Sequence, residues 1–306
     1  MNIVRAEDYH VPVMLQECLE GMQLRPEGCY VDVTFGGGGH SRAILKELQG
    51  AGMLYSFDQD PDAAARAPQQ PCFTFIASNF RHLARFMDYY DRLEQVDAIL
   101  ADLGVSSHHF DAMERGFSFR DETPLLDMRM NNRAGLSARD LLNSYEEEQL
   151  ADVLYRYGEL KQSRSLAKLI VKARSVAPLQ TVGDLIAALR PALRPDQEKK
   201  LLACIFQALR IEVNGELKAL EELLEASLRV LRPGGRLVVM TYHSLEDRIV
   251  KNFLKGTDDS AEAQIYGTAR SAWRLITRKP LVASAEELER NPRSRSAKLR
   301  IAERIR

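Results

Sequence analysis

Tyr30-Val31-Asp32-Val33-Thr34-Phe35-Gly36-Gly37-Gly38-Gly39-His40-Ser41 is the stretch that decides the fold. An apolar, β-branched run passes into four consecutive glycines, and a helical pattern starts directly after them. That order predicts a buried strand, a loop almost without side chains, and a helix. Glycine reaches positive φ and lets another group approach the backbone closely, and open N–H groups at a helix start favour a polar or anionic group. The next apolar run, 52–57, ends in Asp58-Gln59-Asp60-Pro61. This is about twenty residues past the loop, where a carboxylate can take the hydroxyls of a ribose. Loop and acid together predict an adenosine-type cofactor. The plainer alternative for Asp58 is a turn carboxylate that caps the helix after Pro61.

Outward from this stretch, strand patterns at 29–35, 52–57, 72–77 and 96–103 alternate with helical ones. A βαβ series of this kind implies a parallel sheet with sites at its carboxyl edge. From 107 to about 212 the pattern is helical, with apolar spacing at 136–142, 146–154, 163–174, 182–189 and 197–210. Ser163 and Thr181 read as N-caps, and Pro178, Pro191 and Pro195 break the series. The sheet pattern resumes with a helix at 216–231, a turn at Arg232-Pro233-Gly234-Gly235, and strands at 236–241, 274–279 and 298–305. The expected architecture is a doubly wound α/β sheet interrupted by an all-helical insertion. Residues 1–108 and 213–306 form one discontinuous domain, and 109–212 the insertion.

A chain of 306 residues with 45% hydrophobic content supports real cores. Cys18, Cys29, Cys72 and Cys204 are scattered without a Cys-x-x-Cys pair, which argues against a zinc site or a disulfide framework. The first residues are partly acidic and no run approaches the ~20 apolar residues of a membrane span, so a soluble, cytoplasmic protein is expected. The net charge is only −1. Charge is nevertheless clustered: Arg290, Arg293, Arg295, Lys298, Arg300, Arg304 and Arg306 face a single acid, Glu303, and Arg156, Lys161, Arg164, Lys168, Lys172 and Arg174 fall on predicted helix. Phosphate binding needs local positive charge rather than a global excess; an ordinary solvated face explains either group equally well.

The glycine run lacks the sixth-position glycine of a dinucleotide fingerprint, because His40 follows Gly39. Leu231-Arg232-Pro233-Gly234-Gly235-Arg236-Leu237-Val238-Val239 resembles the late helix, turn and strand of class I S-adenosylmethionine-dependent methyltransferases, whose Rossmann-like sheet holds the methionine end at the glycine loop. Two strand ends then carry candidate chemistry. Asp102 closes the fourth strand, at the switch point of the sheet. Tyr242-His243-Ser244-Leu245-Glu246-Asp247-Arg248 follows the fifth strand and brings an aromatic ring, an imidazole and a hydroxyl beside it. Methyl transfer from a sulfonium is an in-line displacement, so side chains mainly align the nucleophile and accept a proton. Tyr242 can stack on an extruded base and His243 can orient an amino group. The bland readings are partly buried strand residues for Tyr242 and His243 and a helix cap for Ser244.

The ordered set of His10-Val11-Pro12-Val13-Met14, Asp32 to Ser41, Ala101-Asp102-Leu103-Gly104-Val105-Ser106-Ser107, Gly116-Phe117-Ser118-Phe119, Leu126-Asp127-Met128-Arg129-Met130, Phe206 to Asn214, Tyr242 to Arg248 and Asn291 to Arg300 spans almost the whole chain. It resembles the RsmH/MraW family of 16S ribosomal RNA cytosine-N4 methyltransferases. The resemblance implies methyl transfer from S-adenosylmethionine to N4 of a cytidine at the decoding centre of 16S rRNA, within the assembled small ribosomal subunit. It implies cofactor contacts at Gly38, Gly39, His40, Asp58, Phe80, Asp102 and His109, and positioning of the target amino group by Asp102, Tyr242, His243 and Ser244 without a metal. The insertion becomes the substrate-recognition domain; monomer and homodimer both stay open. Three segments depart from the family pattern: His108-His109, the longer Thr123-Pro124-Leu125-Leu126-Asp127, and Ala203-Cys204-Ile205. The competing readings are a methyltransferase for other RNA or DNA, a ribosome-assembly factor with an idle pocket, and a nicotinamide oxidoreductase.

Overall fold

The computed structural model describes residues 12–104, 115–133, 135–256 and 271–305. The chain divides into two compact units, Met1–Gly104 with Leu217–Arg306 and Val105–Glu216.

The first unit is built on seven strands: β1 (Cys29–Asp32), β2 (Met53–Asp58), β3 (Phe73–Ala77), β4 (Val96–Asp102), β5 (Leu231–Thr241), β6 (Trp273–Leu275) and β7 (Lys298–Arg304). Their order across the sheet is β3-β2-β1-β4-β5-β7-β6. The five from β3 to β5 run parallel, while β7 is antiparallel to β5 and β6 antiparallel to β7. This is the Rossmann-like α/β sheet of a class I methyltransferase, as expected. The winding direction reverses between β1 and β4, so the carboxyl ends of β1, β2, β4 and β5 share one edge around a switch point.

Along the chain the helices of this unit are first α1 (Leu15–Met22), α2 (Gly39–Leu48), α3 (Pro61–Ala64) and α4 (Leu83–Tyr89). The second unit holds α5 (Ala138–Ser144), α6 (Glu147–Gly158), α7 (Ser163–Arg174), α8 (Val182–Leu189) and α9 (Glu198–Asn214). The return stretch adds α10 (Glu216–Val230), α11 (Ser244–Lys255) and α12 (Ala285–Arg290). Among the described residues no helix is long and apolar enough to cross a membrane.

Both faces of the sheet are covered, so its central strands are apolar throughout rather than alternating. On β4, Ala98 and Leu100 join Val238, Met240, Leu299 and Ile301 beneath α1 and α2. Ile99 and Ala101 point the other way, to Leu237 and Val239 and to Leu83, Leu220, Leu223 and Val250 of α4, α10 and α11. The period-2 geometry of a strand divides one apolar run between two cores. Leu and Ile side chains at such depth each contribute ~1.5–3 kcal/mol by leaving water. The second unit has its own core, with Leu141, Leu150, Leu154, Leu166, Ile170, Leu185, Ile205 and Leu209 at helical spacing. Among its described residues the only β pairing is an isolated bridge between Leu125 and Thr181.

Local chemistry explains where the elements depart from the sequence expectations. Thr181 caps α8 through a capping box with Asp184, but Ser163 is the first residue of α7, and Gln162 stands at the cap without a side-chain bond. The Arg232-Pro233-Gly234-Gly235 turn is an irregularity inside β5: Leu231 pairs with Val96, and pairing resumes only at Arg236 with Ala98. The strand expected at 274–279 is the shorter Trp273–Leu275, since Ile276 and Thr277 both donate to the one carbonyl of Ile301.

The terminal basic run is also divided. Arg300 and Arg304 are buried in β7. Arg300 Nε lies 2.7 Å from Asp247 Oδ1, Lys298 Nζ 3.5 Å from Asp247 Oδ2, and Arg304 Nη2 2.7 Å from Glu94 Oε1. These three cations tie β7 to α11 and to the segment before β4, leaving Arg290, Arg293 and Arg295 exposed. In the middle cluster, Arg174 donates to the Leu142 carbonyl at 2.7 Å and Arg156 pairs with Asp152. Lys161, Arg164, Lys168 and Lys172 are exposed.

Candidate active site at the carboxyl edge of the sheet

The glycine loop leaves β1 with its turn fixed from two sides. Gly36 has φ +52° and donates its N–H to Asp58 Oδ2 at 2.7 Å, while Asp58 Oδ1 accepts the N–H of Asp60 at 2.8 Å. The helix-capping role that sequence allowed for Asp58 belongs to Asp60, whose carboxylate accepts from Asp62 N at the start of α3. Asp58 instead ties the end of β2 to the loop. Gly38 caps α2 at φ +77°, and a Cβ there would sit 2.7 Å from the Phe35 ring. At Gly39 a Cβ would lie 2.4 Å from Pro12. The protein's own packing thus favours glycine at 38 and 39, and of the four glycines Gly36, Gly37 and Gly39 are half-exposed while Gly38 is buried.

Behind the loop runs a buried polar chain. Ser41 Oγ meets Asp32 Oδ2 at 2.6 Å and Ser56 Oγ at 2.8 Å. Asp32 Oδ1 accepts from Thr34 N at 3.0 Å, and Thr34 Oγ1 accepts the backbone N–H of Asp102 at 2.8 Å. This chain locks the ends of β1 and β4 together through fully hydrogen-bonded groups, the condition under which buried polarity is tolerated.

Asp102 is the focus of the cluster. Its Oδ1 accepts the Tyr242 hydroxyl at 2.7 Å, and its Oδ2 lies 3.6 Å from His40 Nδ1. His40, buried on α2, is held at its other nitrogen, with Nε2 3.2 Å from the Val13 carbonyl. Burial pushes the Asp102 carboxyl above the ordinary carboxylate range; His40 and the Tyr242 hydroxyl pull it down, and the nearby Asp32 and Glu246 carboxylates push it up again. Burial and the Asp102 charge drive the Tyr242 phenol far above its ordinary value, so it is a hydrogen-bond donor and not a base. A Cβ on Gly104, which sits at φ +128°, would lie 2.9 Å from the Tyr242 ring. Ring and hydroxyl are thus both engaged within the protein, and the arrangement presents Tyr242 as a clamp on Asp102.

His243 and Ser244 open α11, but not in the order sequence suggested. His243 is the N-cap and Ser244 the exposed first helical residue. Buried Glu246 closes a capping box: its Oε2 accepts the N–H groups of Tyr242 at 2.9 Å and His243 at 3.3 Å. His243 Nε2 approaches Glu246 Oε1 to 3.1 Å without the alignment of a hydrogen bond. Phe80 stands half-buried in the short turn Phe80–His82 after β3, packed against the core under α4 and α10. His109 lies outside the described residues. The structure therefore joins Asp102, Tyr242 and His40 in one cluster and Asp58 with the loop, and it leaves Phe80 without a polar tie to either. Sequence reasoning passed over Thr34, Gly104 and Glu246. Only Glu246 carried a readable signal, the acid three residues after a cap.

This donor set suits S-adenosylmethionine. A carboxylate already oriented by backbone N–H groups closes β2, an open glycine turn lies beside it, and an aromatic ring follows β3.

The MraW methylase family model matches residues 7–305. The ribosomal RNA small subunit methyltransferase H of Porphyromonas gingivalis strain ATCC 33277 is 63% identical over 303 residues, covering 97% of each chain. Its namesake in Parabacteroides distasonis is 60% identical over 299 residues, covering 97% of this chain and 98% of that one. The one in Bacteroides thetaiotaomicron is 57% identical over 298 residues, covering 97% of each.

Proposed function

Because the chain belongs to the MraW methylase family, we propose that it methylates small-subunit ribosomal RNA, at N4 of a cytidine in the decoding centre of the assembled subunit. S-adenosylmethionine is its methyl donor. The observation that carries the reading is the Tyr242-clamped, His40-flanked carboxylate of Asp102 at the switch point of the sheet. The relatives named above, at 57–63% identity over nearly the full chain, support the substrate class.

When bound, the cofactor supplies an electrophilic methyl on a sulfonium that departs as a neutral thioether. Asp58 and the Gly36–Gly39 loop hold its polar groups, with Phe80 against the adenine. Asp102 accepts a hydrogen bond from the exocyclic amine, turning the nitrogen lone pair toward the methyl, and takes the proton that the amine sheds as the N–C bond forms. Its elevated proton affinity suits that task better than an ordinary carboxylate does. His243 and Ser244 close the other side of the amine. N4 is paired in a duplex, so the cytidine is presented unpaired.

The helical unit serves as the RNA-recognition domain. Arg164, Lys168 and Lys172 recur every fourth residue on α7, a spacing of about 6 Å along one helix face. All three are exposed, as a track for phosphates requires.

The test is to incubate the protein and methyl-labelled S-adenosylmethionine with small subunits from a strain lacking this modification, then to digest the rRNA and identify labelled nucleosides by mass spectrometry. N4-methylcytidine at one decoding-centre position is expected. Label on another nucleoside removes the substrate assignment, and absence of label despite cofactor binding points to an assembly factor.

A further inference from the structure

Between the last turns of α11 and the chain that follows β6, away from the Asp102 cluster, there is a cavity of about 230 Å³. Lys251, Lys255, Arg278, Lys279 and Arg300 line it, and no acidic side chain among the described residues does. Arg300 is neutralised by Asp247. Lys251, Lys255, Arg278 and Lys279 are exposed, and among the described residues none has an acidic partner.

Four cations with no acidic partner among the described residues, gathered around one small concavity, are not a consequence of composition, because the chain carries 42 basic and 43 acidic residues. Attraction to the negative end of the α11 dipole accounts for Lys255 in the last turn. It does not account for Arg278 and Lys279, which arrive from a separate segment. Like charges gathered in this way repel one another unless an anion sits between them, and a concave wall concentrates their field. We propose that this cleft binds phosphates of the RNA backbone, as a second anchor for the substrate strand. The proposal rests on the RNA reading given above and extends it to a named surface.

Helix geometry sets the scale. Lys251 and Lys255 lie eight and twelve residues beyond His243, which is roughly 12 and 18 Å at 1.5 Å per residue. A stacked strand rises about 3.4 Å per nucleotide, so the phosphates held here belong to nucleotides roughly four to five positions from the target base. An anchor of this kind adds affinity and register without touching the reacting atoms.

The test uses the full-length protein with Lys251, Lys255, Arg278 and Lys279 all changed to Gln. Its affinity for a labelled single-stranded RNA containing the target cytidine is measured across a salt series, alongside steady-state methylation of small subunits. Each phosphate that is no longer neutralised flattens the plot of log K against log salt by about 0.7, so a slope shallower by about 1.4–2.8 is expected. KM for subunits should rise at least about tenfold with kcat retained, as removal of uniform binding requires. If the fourfold variant fails to fold, R278Q/K279Q reads the same slope. An unchanged slope and KM in a folded variant overturn the proposal while leaving a methylating wild type, and hence the function, intact. A wild type that methylates no subunits defeats the substrate reading instead, and the cleft is then judged by the slope with RNA alone. Pyrophosphate binding that the substitutions abolish, with RNA affinity unchanged, assigns the cleft to a small free anion and also overturns the proposal.

Discussion

The two ends of β4 hold carboxylates five residues apart, Asp97 and Asp102, in opposite electrostatic settings. Burial raises the proton affinity of both. At Asp97 the Cys29 N–H at 2.9 Å, Arg232 Nε at 2.5 Å and the Arg25 guanidinium more than reverse that effect and hold the carboxyl below its usual value. At Asp102 a phenol and an imidazole answer it, two further carboxylates oppose them, and burial prevails. One end has its charge compensated and serves the fold. The other is left poised to take a hydrogen bond or a proton. The residue type is the same, and Asp102, with 24% of its side chain exposed, is no more enclosed than Asp97 with 10%, so what sets the two carboxyls apart is the charge of their partners at the two sheet edges.

The largest effect should come from Asp102→Asn, which keeps shape and removes the charge. Methyl transfer is expected to fall about 10²–10³-fold, the loss typical of a group that stabilises developing charge. Stability should move the other way. A carboxyl whose folded proton affinity is raised costs stability once ionised, so the variant gains at neutral pH and loses that advantage as the pH falls through the raised folded value, with none left below the ordinary value of 3.8. Activity assays and denaturant melts at two pH values check both signs.

Asp97→Asn should show the reverse profile, with kcat unchanged and stability reduced by about 2–3 kcal/mol, because two guanidiniums lose a largely buried partner. The stabilisation from Asp97 is fully present above its unfolded value near 3.8 and is lost as pH falls through the lower folded value. The acid-unfolding curve of the variant should accordingly be flatter than that of the wild type. Inactivity in a folded Asp97→Asn protein would collapse the distinction between the two ends.

Tyr242→Phe sharpens it from the other side. The hydroxyl stabilises ionised Asp102, so its removal raises the proton affinity of that carboxyl further. A hydrogen bond to a charged group is worth about 1.5–3 kcal/mol, equivalent to an upward move of about 1–2 pH units in the acid limb of the kcat/KM profile. Reduced activity with an unmoved limb would make Tyr242 a packing residue only.

Much of this was legible in the sequence because it rests on local pattern. The apolar run of β4, the glycine loop and the helical spacing of α7 and α8 each specify an element within a dozen residues. The partners of the candidate residues were not legible, since they come from distant elements. Asp102 meets Tyr242 across 140 positions, and Asp97 meets Arg232 across 135. A basic run also reads identically whether it is solvated or buried, and Arg300 and Arg304 meet Asp247 of α11 and Glu94 only because β7 pairs with β5. Gly38 and Gly39 read as room for a ligand, and the structure adds a second reason for glycine there that sequence could not show: a Cβ would meet Phe35 or Pro12.

The smallest effect, and the finest probe of the compensated end, concerns its two arginines. Both reach the same oxygen, Asp97 Oδ1, but the Arg25 side chain is 58% exposed and that of Arg232 is 39% exposed. Solvent screens an exposed pair, so Arg25→Gln should cost no more than about 1 kcal/mol and the cost should shrink with added salt. Arg232→Gln should cost somewhat more. Either arginine alone still neutralises the carboxylate, so the first substitution is cushioned by the partner that remains. The second leaves Asp97 buried with little beyond the Cys29 N–H, and the double variant should therefore lose more than the sum of the singles, by about 0.5–3 kcal/mol in a double-mutant cycle. Simple additivity would mean that the two guanidiniums act on Asp97 independently, and that burial at the amino end of β4 is milder than the opposite behaviour of the two carboxylates requires.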